Sequence, residues 1–291
     1  MKKLAFLLIL LFIQTQFYSQ TKEFSFHVEI KGKGRPIVLI PGLASSGKVW
    51  EQTTKTLEKN YECHILTLPG FANQTPITLN KGFLPVIKDE IIKYIQTNFH
   101  QKPILIGHSL GGFLSLSIAS SNPDLLKEIV IVDSYPFMAA AYNPNATEEN
   151  VISQANMMKK MLLNTPEKQF LQQQKNTMAT MITDSTKIKV ATKWSLISDR
   201  KTIAQAMYEL MTTDLRKDIE KVKIPILVLG SWYGGKNYGV TKEMVLKNYK
   251  QQFSKAENVT ITIANTAKHF IMWDEPKWFI NSVKSFINDA Q

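Results

Sequence analysis

Gly107-His108-Ser109-Leu110-Gly111 is the stretch of this chain whose residue types and spacing could do chemistry. It follows a short apolar run, Ile104-Leu105-Ile106, and leads into Gly112-Phe113-Leu114-Ser115-Leu116-Ser117-Ile118-Ala119, which reads as a helix. Gly-x-Ser-x-Gly between a strand and a helix puts the serine on a sharp, strained turn, with the helix N-terminus aimed at any negative charge that forms beside it. Glycines at 107 and 111 leave room where strand and helix cross. A serine hydroxyl is a poor nucleophile until a neighbouring imidazole takes its proton during attack. On these residues alone a second reading stays open, in which the serine merely caps the helix.

The elements around the motif alternate between strand and helix. Phe24–Ile30 alternates apolar and polar residues, the period of a half-buried strand, with His27 on the outward face beside Ser25 and Glu29. Pro36–Ile40 is continuously apolar, as expected of a strand buried on both faces of a parallel sheet. The segment after it, Gly42 to Lys48, has the spacing Gly-x4-Gly-Lys. Val49 stands where a phosphate-binding loop needs Ser or Thr for magnesium, so the better reading is that Pro41-Gly42-Leu43 presents a backbone N–H beside the serine. Tyr61–Leu68 is a second buried strand, Gly82–Phe99 carries a helical stripe, and Leu125–Val132 gives a helix end and a strand that finishes at Asp133. From 135 to 218 the strand pattern disappears, and helical spacing takes over in Met157-Met158-Met161-Leu162, Phe170–Ile182 and Ile203–Leu215. Strands return at Ile224–Gly230 and Val259–Ala264, with helices over Thr241–Phe253 and after Pro276; Asp274 reads as the N-cap of the last one.

This order predicts an α/β fold: a mostly parallel sheet flanked by helices, with residues 21–134 and 219–291 forming the core and 135–218 an inserted helical cap. Ligands of such sheets collect at the carboxyl ends of the strands. Ser109, Leu43 and Asp133 all fall there. His269 follows the last strand and precedes a helix, which brings its loop to the same edge. Of the methionines at 157, 158, 161, 178, 181, 207 and 211, some are expected to line an adaptable apolar pocket and most to pack helix against sheet.

The first twenty residues stand apart. Lys2 and Lys3 precede an apolar run from Leu4 to Ile13, too short to span a bilayer, so residues 1–20 read as a secretory signal cleaved near Ser19 or Gln20. The expected location is periplasmic or extracellular, with no stable membrane insertion once the signal is removed. Cys63 is the only cysteine, which excludes a disulfide, and its neighbours Glu62 and His64 point to opposite faces of a strand, which argues against a catalytic thiol. The formal charge of +11 is almost all lysine and scattered, with arginine only at 35, 200 and 216; nucleic-acid interfaces favour a concentrated, arginine-rich stripe. Histidine pairs and cysteine clusters at metal spacing are absent, and neither a metal nor a cofactor is expected.

With Pro41-Gly42-Leu43, Leu68-Pro69-Gly70-Phe71, Gly107–Gly111 and Lys268-His269-Phe270 in this order, strands lying between them, the chain resembles the α/β-hydrolase superfamily across nearly all of its mature length. The resemblance implies Ser109 as nucleophile, His269 as general base and the N–H groups of Leu43 and Leu110 as an oxyanion hole. It implies attack on a small-molecule acyl substrate, an ester or an amide. Relatives most often carry the triad acid after the strand that corresponds to Ile226–Leu229. Here that loop, Gly230–Gly239, holds no carboxylate. Asp133 occupies the alternative position some relatives use, Glu243 is a distant second, and a non-catalytic ligand-binding protein on the same scaffold is the competing reading.

Overall fold

The computed structural model describes residues 24–289, so the expected signal at 1–20 lies outside the described residues. Strands β1 (His27–Lys31), β2 (Arg35–Ile40), β3 (Tyr61–Thr67), β4 (Ile104–His108), β5 (Glu128–Val132), β6 (Ile226–Gly230) and β7 (Val259–Ile263) form one sheet in the order β1-β3-β2-β4-β5-β6-β7. Only β1 runs antiparallel to its neighbour. Strands β4, β5 and β6 are buried at every residue because helices cover both faces, which is why their sequences show no alternation.

On one face, α2 (Leu84–Asn98), α3 (Leu110–Ser121) and α8 (Lys242–Gln252) contribute Ile87, Ile91, Leu114 and Tyr249 to a core with Val38 and Leu105. On the other, Leu57 from α1 (Glu51–Leu57) and Phe279, Val283 and Ile287 from α10 (Pro276–Asp289) pack on Ile37, Leu39 and Ile106. Each such fully buried aliphatic side chain contributes roughly 1.5–3 kcal/mol of transfer free energy. No helix among the described residues is long and apolar enough to cross a membrane.

The insertion between β5 and β6 contains α4 (Glu148–Asn164), α5 (Glu167–Met181), α6 (Ser185–Leu196) and α7 (Arg200–Thr212); α4 packs on α7 and α5 on α6. The segment around α6 carried no helical expectation, since its apolar residues Ile188, Ala191 and Trp194 are interleaved with lysines. Its start is set by the Asp184 carboxylate, which accepts from the Thr186 and Lys187 N–H groups at 2.7 and 2.9 Å. The cap is fastened to the core through polar contacts as well as packing. Glu209 of α7 accepts from the Phe83 and Leu84 N–H groups at 2.9 and 2.6 Å, capping α2 from another element, and Asp199 N–H donates to the Gly70 carbonyl at 2.6 Å.

Asp274 does not cap the final helix. It closes a four-residue helix, α9 (Ile271–Asp274), and its carboxylate accepts from Lys268 N–H at 2.9 Å and from both the N–H and the hydroxyl of Thr183 at 3.0 Å. Glu275 intervenes at the start of α10: its carbonyl receives the Phe279 N–H at 2.9 Å.

The strand-to-helix turn after β4 leaves no space for larger residues. A Cβ at Gly107 would lie 2.1 Å from the Gly111 carbonyl oxygen, and one at Gly111 would lie 2.2 Å from that of Ile40. Gly111→Ala is therefore expected to destabilise the protein by roughly 2–4 kcal/mol, because the clash is with backbone that cannot rotate away. Gly239, at φ 78° with nothing within 4 Å of a built Cβ, should accept Asn at a loss below about 1 kcal/mol. Urea unfolding of the two variants checks the contrast.

Candidate active site

Ser109 leaves β4 at φ 51° and ψ −117°, a conformation that side chains other than glycine rarely adopt. Its N–H is held by the Val132 carbonyl at 2.9 Å, just as the Asp133 N–H is held by that of Leu229 at 2.8 Å, so both residues peel away from adjacent strands at the same edge. Asp133 is itself at φ 46°, and Ala44, in the loop after β2, at φ 53°. These three are among the five non-glycine residues with positive φ among those described, and all three line one cavity of about 440 Å³. Residues held in such regions cost on the order of 1–3 kcal/mol each, and persist where the surrounding structure over-determines them.

The structure brings together at this cavity Ser109, His269, Asp133, Leu43 and Leu110, and leaves out Glu243. Leu110 is the first residue of α3, where an N–H has no intrahelical acceptor. His269 Nδ1 meets Asp133 Oδ2 at 2.7 Å. The same carboxylate accepts from Ser231 N–H at 2.7 Å, from the Ser231 hydroxyl at 2.7 Å and from the Tyr249 hydroxyl at 3.0 Å. The loop after β6 thus supplies two donors to Asp133 and holds no carboxylate of its own. Tyr249 is fully buried, its ring stacked on that of Tyr135 at 4.1 Å, and burial beside the Asp133 charge raises its hydroxyl well above the ordinary tyrosine value, so it stays a donor. Glu243 stands exposed in the first turn of α8 and takes no part.

The loop that carries His269 is fixed from behind. Glu275 accepts from the Ala267 N–H and the Thr266 hydroxyl, each at 2.8 Å, while Asp274 holds the Lys268 N–H. His108, which sequence reasoning passed over, adds a third restraint: its Nε2–H donates to the His269 carbonyl at 3.1 Å, and its ring packs 4.6 Å from the His269 ring and 4.7 Å from Phe270. Burial, reinforced by the neighbouring His269, pushes its pKa well below the ordinary value, so the ring is neutral beside that of His269. Replacing His108 by Phe keeps the ring packing and removes the donor. The expected result is about a tenfold fall in kcat with little change in thermal midpoint, since the base is oriented less well. Ester-hydrolysis kinetics alongside a thermal melt measure both.

Cys63 is buried in β3, and desolvation pushes its thiol up to about 12, so it is inert as a nucleophile. The methionines depart from expectation. Met158, Met161, Met178, Met181 and Met207 all line the cavity, whereas Met157 is exposed and Met211 is buried elsewhere. The stripes of α4, α5 and α7 thus contribute to the cavity wall, while Met178 of α5 and Ile203, Ala206 and Leu210 of α7 also join the buried core.

A mostly parallel sheet with a serine on the strand-to-helix turn and a carboxylate–imidazole pair at its edge defines a hydrolase scaffold, and the chain belongs to the alpha/beta hydrolase fold family, whose model matches residues 35–276. Among curated relatives, the pimeloyl-[acyl-carrier protein] methyl ester esterase of Aliivibrio fischeri is 23% identical over 264 residues, covering 91% of this chain and 98% of its own. That of Aeromonas hydrophila is 34% identical over 116 residues, covering 40% and 44%. Among solved structures, a hydrolase from Pseudomonas aeruginosa aligns with a TM-score of 0.75 at 12% identity, over 90% of this chain and 94% of that one. An esterase from Exiguobacterium antarcticum aligns with a TM-score of 0.75 at 14% identity, over 90% and 95%.

Proposed function

We propose that this protein is an exported serine hydrolase that cleaves a carboxylic ester through an acyl-enzyme on Ser109. His269 takes the Ser109 proton as the hydroxyl oxygen attacks the acyl carbon, and Asp133 holds the ring in the tautomer whose Nε2 accepts that proton. The carbonyl oxygen becomes an oxyanion between the N–H groups of Leu43 and Leu110, each of which is worth about 3 kcal/mol to the transition state. Collapse of the tetrahedral intermediate breaks the ester C–O bond, and His269 passes its proton to the departing alkoxide. Water then repeats the sequence on the acyl-serine and releases the acid. The observation that carries this reading is the 2.7 Å contact of Asp133 with His269 in the cavity that Ser109 opens onto.

The methionine-lined cavity favours a small or medium-sized apolar acyl chain. The relatives named as methyl ester esterases support the ester class over the amide class. The competing idea of a non-catalytic binding protein rested on the loop after β6, which lacks a carboxylate, and the pairing of Asp133 with His269 speaks against it. Export rests on Lys2, Lys3 and the run Leu4–Ile13. A fluorophosphonate probe tests the chemistry: the wild type is expected to label, and absence of labelling would favour the binding role. N-terminal sequencing of protein recovered outside the cytoplasm tests export, with a start near residue 20 expected; an intact Met1 on cytoplasmic protein would refute it.

A further inference from the structure

One polar side chain of the cavity wall, Gln174, lies on a helix whose other lining residues include two methionines. The face of α5 that lines the cavity is made by Gln174, Thr177, Met178 and Met181, the i, i+3, i+4, i+7 spacing of a packed helical stripe, and Phe170 continues it one turn earlier, buried. An amide occupies a position in that stripe where a leucine or methionine would pack without any polar cost. The amide is also held. The hydroxyl of Ser195, a residue only 1% exposed in α6, donates to Gln174 Oε1 at 2.8 Å. That bond turns the acceptor oxygen toward α6 and leaves Nε2, with two N–H groups, without a protein partner among the described residues. No lysine or arginine is among the described residues that line the cavity.

From this arrangement we infer that Gln174, oriented by Ser195, is a specificity-determining residue that donates a hydrogen bond to a neutral acceptor, such as a ketone, ester, amide or ether oxygen, carried on the substrate away from the scissile bond. The inference deepens the proposed ester hydrolysis and rests on it for the identity of the scissile group. A free carboxylate at that distal point is disfavoured, since the cavity has no cation to pair with it and its charge would be desolvated among methionines. Gln174 is half-buried, so a plain hydrocarbon chain filling the same space would displace solvent from the amide N–H groups without pairing them, and that loss is what discriminates against a substrate lacking the acceptor.

The test uses nitrophenyl octanoate and a series in which a ketone is moved one carbon at a time along the acyl chain. For at least one ketone position the wild type is expected to show kcat/KM about tenfold above that of the plain octanoate. Gln174→Leu should abolish that preference, bringing kcat/KM for the keto ester down to that for octanoate, and Ser195→Ala should reduce it. A helix-pinning role for the Gln174–Ser195 pair would instead lower the thermal midpoint and affect all esters alike. A second arm avoids catalysis: calorimetric binding of the corresponding methyl keto-octanoates and methyl octanoate to Ser109→Ala, with and without Gln174→Leu, should show the same discrimination in Kd. Failure of wild-type turnover with the binding preference intact would sink the hydrolase reading and keep the subsite. Equal treatment of keto and plain chains by wild type and Gln174→Leu in both arms would overturn the subsite.

Discussion

Ser109→Ala is expected to lower kcat for ester hydrolysis by about 10⁴- to 10⁶-fold, and His269→Ala by a similar factor, with the double variant little worse than either alone. The two groups act as one device: without the hydroxyl there is nothing for the imidazole to activate, and without the imidazole the hydroxyl remains a weak nucleophile. The residual rate would come from the backbone donors at Leu43 and Leu110 and from substrate binding in the cavity. Ser109→Ala should not harm folding. Alanine also tolerates the turn no worse than serine, and the packing around Gly107 and Gly111, which fixes the turn, is untouched. Kinetics on a chromogenic ester and loss of fluorophosphonate labelling read the effect. Persistent labelling of Ser109→Ala would mean that another residue carries the nucleophile.

Asp133→Asn should produce the second large effect, a fall in kcat of about 10⁴-fold with KM nearly unchanged. The carboxylate faces donors on every side: two from Ser231, one from Tyr249 and the Nδ1–H of His269. Asparagine has a single acceptor oxygen. If that oxygen serves Ser231, the amide nitrogen turns to His269 and forces the ring proton onto the nitrogen that must accept from Ser109. If it serves His269, an N–H confronts the Ser231 N–H. Tyr249→Phe, which removes one donor, should cost far less. Glu243→Gln, on the exposed start of α8, should leave kcat within about twofold of the wild type, as a surface substitution away from the site would. Equal small effects of Asp133→Asn and Glu243→Gln would remove Asp133 from the mechanism.

The parts of this architecture legible from sequence were those with strong local signals. Continuous apolar runs such as Pro36–Ile40 and Ile226–Leu229 mark strands covered on both faces, and the glycines flanking Ser109 mark a crossing too tight for a side chain. Less legible were features decided by contacts between distant segments. Helix α6 hides its short apolar face among lysines, and its cap residue Asp184 resembles ordinary loop composition. Asp274 sits two residues before Pro276, the spacing of a helix cap, yet its side chain is drawn to Thr183, some ninety positions away in sequence. The methionines carry no mark that separates pocket lining from core, because the same stripe serves for both; which it becomes depends on whether the sheet or a void lies opposite. Ser231, Tyr249 and His108 were silent for a related reason. Their importance comes from a partner met only in three dimensions.

In the proposed mechanism the acid sits at the end of β5, which has a consequence for how this lineage can change. Asp133 lies two residues before the cap departs, and the segment after β6 is left with the lesser duty of offering Ser231 as a donor. Mutational drift or insertion beyond Ser231, across Trp232 to Val240, is released from the constraint that a triad member would impose there. Descendants could remodel that rim for new leaving groups while the chemical step stays as it was.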